Sequence, residues 1–546
     1  MIVYGDHARR VAPQPALHAL ADGLAAEGAT VDAFVDAAAL AQGLIDAEFH
    51  ARGAVDARSP LADALGVALT RLAGDMLHGA PPDAGAWRAL ARQAPPQTVS
   101  VKLAEGFAFY ALDPRAYAAS ARAAGLGPDT TVIGLRSIGT ALAAVVAAAV
   151  GARPPITVRP VDHPFARRLS LAPELRAELA RAPGRIFVVD EGPGLSGSSF
   201  LSVADALAEA GIARDRLVLL PGHPNGPGAQ APEEARTLFR EARVLAPTPP
   251  DTAAVVEVAA DLIGPALASP EELSGGAWRA DLSAERTHRP PAAALWEHRK
   301  VRVRTARGTF LLKWAGFGGD AWAKLARARR LAEAGCSPPV LELRDGWLVA
   351  PWLPGRPLGP GDAPPLPELA AMLTLRARDF HAASDEGASP AALAEMARVN
   401  AGEALGAAAG GAAEALVARG LGGPAPARVM IDGRLHRHEW LRTPDGRTLK
   451  TDALDHARGH DLIGPQEIGW DVAGAAVEWD LTPAETAALA ETAGADPARL
   501  PALTAAYCAF QLGTAAMAAD AAEAADRLRL LHERDRYAAR LRATLD

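Results

Sequence analysis

Ile186-Phe187-Val188-Val189-Asp190-Glu191-Gly192-Pro193-Gly194-Leu195-Ser196-Gly197-Ser198-Ser199 decides how the first half of this chain is read. Four consecutive apolar residues read as a strand buried on both faces, the signature of a parallel sheet. Two carboxylates follow where the strand ends, then a Gly/Ser loop, then a helical pattern from Ser198 to Ala210. Open α/β sheets bind ligands at the carboxyl ends of their strands. Backbone N–H groups at a helix start favour an anion, and Gly lets that backbone come close to it. The acids precede the loop and no Lys lies in it, so this is not the GxxxxGK[ST] nucleotide loop. The pattern points to a phosphorylated sugar, although an ordinary doubly wound domain with a Gly/Ser turn has the same outline.

Working outward, Val99–Leu103 alternates like a strand, and Thr130–Leu135 and Pro155–Pro160 read as further strands. Arg136-Ser137-Ile138-Gly139-Thr140 and an apolar helix separate the last two, and Leu217–Pro221 closes the series. Strands alternating with helices predict a doubly wound parallel sheet. Residues 1–98 read as Ala-rich helices broken by Pro and Gly, with no nameable chemistry. Pro224–Pro250 reads as a loop or linker. Beyond Ser283 the rhythm changes. Lys300–Arg307 and Gly308–Trp314 form an antiparallel pair, Ala321–Ala334 a helix, and Val340–Leu353 a hairpin turning at Asp345-Gly346. The remainder is mainly helical.

Composition narrows the function class. A chain of 546 residues is too long for one core, and 49% hydrophobic with 22% charged residues is an ordinary globular composition. The net charge of −8 argues against general nucleic-acid or membrane-surface binding. Two cysteines, Cys336 and Cys508, make neither a disulfide framework nor a zinc cluster, so a cytoplasmic protein is expected. The start of the chain lacks the pattern of a signal peptide, and the apolar run near Thr140–Ala152 is too short to cross a bilayer. Lysine is scarce: Lys102, Lys300, Lys313, Lys324 and Lys450 are all there are, against abundant Arg, so a retained Lys carries more information than an Arg.

The stretch around Asp190 resembles the diphosphoribosyl-binding motif of type I phosphoribosyltransferases. The resemblance implies that Asp190 and Glu191 contact ribose hydroxyls, with Gly194, Ser196, Gly197, Ser198 and Ser199 cradling the 5′-phosphate. Two registers fit. With Asp190 and Glu191 as the acid pair the loop is one residue longer than the family's; with Glu191 first, the length matches and Gly192 replaces the second acid. Arg136, Ser137, Gly139 and Thr140 stand where that family carries its pyrophosphate loop. Donors aimed at a departing diphosphate stabilise the transition state, and Mg²⁺ is expected to bridge diphosphate and sugar. A segment at Lys102, Glu105 and Tyr110 resembles one that precedes the core in some members.

The region from about Ser283 resembles the aminoglycoside/choline phosphotransferase branch of the protein-kinase-like fold. Phe310-Leu311-Leu312-Lys313-Trp314 matches the strand whose Lys holds nucleotide phosphates, and Leu348–Leu358, with Trp352, matches the hinge. Asp432-Gly433-Arg434-Leu435-His436-Arg437-His438-Glu439 matches the catalytic loop, with Arg434 at the base and Glu439 at the metal-binding Asn. Asp452 matches the second metal ligand and Asp471 a structural acid. An Arg cannot accept a proton from an attacking hydroxyl; Asp432 or His436 are the substitutes in reach. Lys324 stands near the place of the helix Glu that usually pairs with the strand Lys. His436, His438, His456 and His460, near Asp452, Asp455 and Asp461, also raise a transition-metal site.

These readings predict a helical region (1–98), a phosphoribosyltransferase-like domain (99–275), and a kinase-like α+β domain of two lobes (284–355 and 356–546). The expected activity is transfer from phosphoribosyl diphosphate to a nucleobase-like small-molecule acceptor, fused to a divergent ATP-binding phosphotransferase-like domain that would make the enzyme bifunctional, in nucleotide-type metabolism. ATP and Mg²⁺ are expected at Lys313, Trp352, Glu439 and Asp452, and neither a nucleic-acid nor a membrane partner is expected. A nucleotide sensor without turnover is the alternative. Acceptor identity and oligomeric state are not encoded in any motif.

Overall fold

The computed structural model describes the whole chain except residues 3, 5–7, 283–288, 294–295 and 460. The chain forms two compact units. The first comprises Ala8–Pro250 with the short segment Gly316–Asp320; the second comprises Met1–His7, Asp251–Ala315 and Ala321–Asp546.

In the first unit, β1 (Ala8–Val11) pairs antiparallel with β2 (Val99–Lys102). Between them run α1 (Pro13–Glu27), α2 (Val31–Ala51), α3 (Pro60–His78) and α4 (Ala84–Gln93). Thr30, Ser59 and Asp83 cap the last three by accepting from backbone N–H groups three residues on. Short α5 (Glu105–Ala108) and α6 (Pro114–Ala123) lead into the sheet: β3 (Thr131–Leu135), α7 (Gly139–Val150), β4 (Ile156–Val158), α8 (Pro173–Ala180), β5 (Ile186–Val189), α9 (Ser198–Glu209), β6 (Leu217–Leu220), α10 (Glu233–Glu241) and β7 (Arg243–Val244). The five strands are all parallel, in the order β4-β3-β5-β6-β7.

Apolar residues cover both faces of this sheet. Ile133, Leu135, Val158, Val188 and Leu219 pack with Leu175 and Leu179 of α8 and Val203 and Leu207 of α9. Their neighbours Val132, Phe187, Val189, Val218 and Leu220 point the other way and are equally buried. Helix α7 lies against β3, β4 and β5, and its apolar circumference requires a cover, which α2, α3 and α6 supply. The helices before residue 98 are therefore packed into the sheet domain rather than standing as a region of their own. The expected linker at Pro224–Pro250 is also corrected. Leu238 of α10 fills the core, and β7 completes the sheet edge.

The second unit opens with α11 (Thr252–Glu257), α12 (Ala260–Ile263) and β8 (Glu271–Glu272). Then come β9 (Lys300–Thr305), β10 (Gly308–Trp314), α13 (Gly319–Glu333), β11 (Glu342–Arg344) and β12 (Trp347–Pro351). They form an antiparallel sheet in the order β11-β12-β10-β9-β8. Asp345 and Gly346 both take positive φ, the geometry that a two-residue turn needs to match the strands' twist. Next follow β13 (Arg356–Pro357), α14 (Leu366–Asp379), α15 (Pro390–Leu405) and α16 (Ala407–Leu421). The hairpin of β14 (Trp440–Arg442) and β15 (Thr448–Lys450) leads to α17 (Gly469–Trp479), α18 (Pro483–Ala493), α19 (Leu500–Ala521) and α20 (Ala524–Leu545). Trp440, Trp470, Trp479 and Tyr507 anchor the helical core. Pro497–Ala521 is long and apolar enough to cross a membrane, yet most of it is buried inside this core against α15, α16, α17 and α20.

Candidate functional site

In the first unit the chain leaves β3 towards β4 and leaves β5 towards β6, so the connections part between the carboxyl ends of β3 and β5. Open sheets form their ligand crevice at this switch point. Both loops singled out in the sequence end there. A Cβ on Gly139 would lie 2.9 Å from the Val189 carbonyl, so glycine lets the start of α7 close onto the strand that carries Asp190. Gly194 and Gly197 take positive φ in the second loop. The backbone N–H groups of Leu195, Ser196, Ser199 and Phe200, like those of Ser137, Ile138 and Gly139, have no protein acceptor among the described residues. Each set opens a helix, as an anion cradle requires.

The side chains depart from the expectation at three places. Arg136 does not face the crevice. It is buried, with its guanidinium paired to Asp56 and, at 3.3 Å, to Asp46, and stacked over Phe49. A buried guanidinium needs such acids, so they hold it inside the fold. Thr140 is buried as well, its hydroxyl without a partner among the described residues. The Ser196 and Ser198 hydroxyls both donate to the Pro164 carbonyl, at 2.7 and 2.5 Å, fastening the loop to its neighbour. Ser199 is half-buried at the start of α9.

The two acids differ. Glu191 accepts the Gly106 N–H at 2.7 Å, so the α5 segment sits on it, while Tyr110 is exposed. Burial pushes the Asp190 carboxyl up to about 7, against the Glu191 N–H and Arg159, which favour its ionised form.

In the second unit, strand register assembles the cluster. Lys313 lies opposite Lys300 on β9 and Leu348 on β12, so Lys313, Lys300, Arg302 and Trp352 share one face of the sheet. The Arg302 guanidinium lies 4.8 Å from the Trp352 ring centre. From the other side the β14–β15 hairpin sets Trp440 opposite Lys450, and Thr451 donates to the Glu439 carbonyl from backbone and hydroxyl. That pairing brings Glu439, Lys450 and Asp452 together.

Every acid in this cluster meets a cation. Lys313 Nζ lies 2.7 Å from Asp452 and 2.6 Å from Asp455, and Lys324 Nζ lies 2.8 Å from Asp455. The helix residue facing the strand lysine is thus itself a lysine, and Asp455 bridges the two. Glu439 meets Lys450 at 2.9 Å and Arg434 at 3.1 Å. Burial works to raise these carboxyls, yet the cations prevail: Glu439 is held down at about 2, and Asp452 and Asp455 well below the usual range. Arg434 and Asp452 are more exposed than the half-buried Lys300 and Lys313.

Neither candidate base faces an acceptor. Asp432 is buried, paired with Arg376 at 2.8 Å and Lys450 at 3.4 Å. Asp471, at the start of α17, accepts the Asp432 and Gly433 N–H groups at 2.7 and 2.9 Å and so fixes the loop. His436 turns to Glu478, 3.4 Å away, and stacks on His438, which stacks on Trp278. The expected histidine cluster therefore divides: among the described residues His456 joins Asp432 and Glu439 at metal-ligand spacing, His438 lies 4.0 Å from Glu439, and His460 lies outside the described residues.

Glu439 and Asp452 were expected to hold Mg²⁺. The donor set does not fit that role. Both Glu439 oxygens and one Asp452 oxygen already face ammonium or guanidinium groups, whereas Mg²⁺ demands oxygens free to surround it. Lys300 and Lys450 had no expected role, while Lys324 was expected only as the strand lysine's neighbour and Asp455 only beside the histidines. Four of the five lysines in the chain meet here, and lysine scarcity was the signal that marks them.

No protein-family model and no curated protein sequence matches the chain. Among solved structures, it is similar to the choline kinase LicA from Streptococcus pneumoniae, at 13% identity over 53% of this chain and 98% of that one, with a TM-score of 0.35. It is also similar to spectinomycin phosphotransferase APH(9)-Ia in complex with ADP and spectinomycin, at 12% identity over 53% and 97%, TM-score 0.36. A choline/ethanolamine kinase family protein from Mesorhizobium loti matches at 18% identity over 53% and 98%, TM-score 0.31. Each of these likenesses covers about half of this chain. These likenesses give no support to a phosphoribosyltransferase.

Proposed function

We propose that the second unit binds the phosphate chain of a nucleotide such as ATP and does not pass a phosphoryl group to an alcohol. The convergence of four of the chain's five lysines, with Arg434, on one cluster carries this reading. Lysines and arginines in fixed positions favour phosphate oxygens. Transfer needs a group that accepts the attacking hydroxyl's proton. Arg434 occupies that place, and the nearby acids are held ionised by cations, which makes them weak bases. The test is binding of fluorescent ATP together with a search for γ-phosphate release or transfer. Tight binding weakened at least tenfold by Lys313→Met, without turnover, is expected. Turnover lost in Asp452→Ala but kept in Arg434→Ala would replace this reading with a divergent kinase.

A second reading concerns the first unit and is favoured by the meeting of the two loops beside Asp190 and Glu191. There we propose a phosphoribosyl diphosphate site, with the loop N–H groups on phosphate and the acids on sugar hydroxyls. Pyrophosphate release from phosphoribosyl diphosphate with a panel of bases tests it. Binding without release would make the whole chain a sensor. No binding, in a folded protein, would remove the reading.

A further inference from the structure

We infer that the Lys450 ammonium is a built-in cation occupying the place of a divalent metal ion, and that the cluster takes up its phosphate ligand without one. The second half of this statement rests on the nucleotide reading above; the first does not.

One oxygen each of Asp432 and Glu439 and one nitrogen of His456 lie within 4.8 Å of one another, a spacing that could hold a metal ion. Lys450 Nζ sits among the acids. It is 2.9 Å from Glu439 and 3.4 Å from Asp432, and it also donates to the Asp452 carbonyl. An ammonium has three protons, and three acceptors surround this one. The side chain is fully buried, so no water competes for those protons. The acids' second oxygens are occupied too, Asp432 by the buried Arg376 at 2.8 Å and Glu439 by Arg434 at 3.1 Å. A divalent ion entering here meets a like charge and acids already satisfied. An incoming phosphate finds cations that are already in place.

Two measurements test this. Titration with Mn²⁺ alone, read by electron paramagnetic resonance, is expected to show no bound equivalent sensitive to Glu439→Gln in the native chain. Lys450→Met keeps the stem, deletes the charge and leaves the triad, so it is expected to gain one Mn²⁺ equivalent that Glu439→Gln then removes. A native site lost on Glu439→Gln, or a folded Lys450→Met that gains nothing, would overturn the assignment. If Lys450→Met does not fold, the native titration still decides. Fluorescent ATP, with binding assigned to this unit by its loss in Lys313→Met, is expected to bind within about twofold as well in EDTA as in Mg²⁺. A tenfold requirement for Mg²⁺ would refute metal-free uptake. Absence of binding in both buffers would remove the nucleotide reading, with the Mn²⁺ result still deciding the role of Lys450.

Discussion

Asp455 is the residue on which the cluster's stability should hang, and a double-mutant cycle with Lys324 measures it. Its carboxylate lies 2.6 Å from the half-buried Lys313 Nζ, and 2.8 Å and 3.7 Å from the buried Lys324 Nζ and His298. At an effective dielectric of about 20, a pair of unit charges 2.8 Å apart attracts by about 6 kcal/mol before desolvation is counted. Asp455→Ala removes the carboxylate that Lys324 and Lys313 share and leaves Lys313 with Asp452, so a loss of about 3–5 kcal/mol is expected. Lys324→Met leaves Asp455 bound to Lys313, so a smaller loss of about 1.5–3 kcal/mol is expected. The double variant removes both members of the 2.8 Å pair at once and should fall short of the sum by about 1–3 kcal/mol. Urea unfolding followed by tryptophan fluorescence reads this selectively, because Trp87 alone of the ten tryptophans lies in the first unit. Losses that add to within about 0.5 kcal/mol would refute the bridging role of Asp455.

Three further outcomes follow from the charges. Arg136→Met is expected to destabilise the first unit by about 3–5 kcal/mol, by leaving the buried Asp56 without its guanidinium, though with the Arg159 N–H, and by weakening Asp46; a stable variant with weakened phosphoribosyl diphosphate binding would instead return Arg136 to the crevice. Asp190 has a folded pKa of about 7, above its unfolded value, so its carboxylate costs stability progressively as pH rises from about 4 to 7, and Asp190→Asn should flatten that part of a melting-temperature profile. His298 is held down to about 4 by burial, despite Asp455, so the unfolded chain takes up protons first; stability of the second unit should fall as pH drops from about 6.5 to 4, and less so in His298→Gln.

The backbone was more legible than the chemistry. Buried parallel strands announce themselves as apolar runs, and Ile186–Val189 and Thr131–Leu135 formed where expected because nothing competes with burial for Val and Ile. The hairpin at Asp345-Gly346 was legible because few residue pairs tolerate its φ angles. Pro224–Pro250 misled because Pro and Gly mark the turns while α10 needs only Ala235 and Leu238 to dock. Arg136 was misread for a different reason. Its two acids, Asp46 and Asp56, are about 80 to 90 residues away in sequence, and no local pattern reveals so distant an ion pair. The same holds for Asp455 and Lys324.

That asymmetry bears on the cluster itself. A motif reading assigns each position the role its family partner plays, so Glu439 and Asp452 were expected to wait for a metal. The fold shows the opposite arrangement, in which Lys313, Lys450 and Arg434 already satisfy them. An acid whose partner is covalently part of the chain needs no ion from solution, and its oxygens are no longer free to reorganise around one. The cations are positioned before any ligand arrives, which suits binding a phosphate more than moving one, because transfer requires a base as well as a clamp. Under the proposed nucleotide reading, Arg434 and Lys450 therefore point the same way, and they do so independently: a guanidinium offers no proton acceptor, and the Lys450 ammonium lies between Asp432 and Glu439.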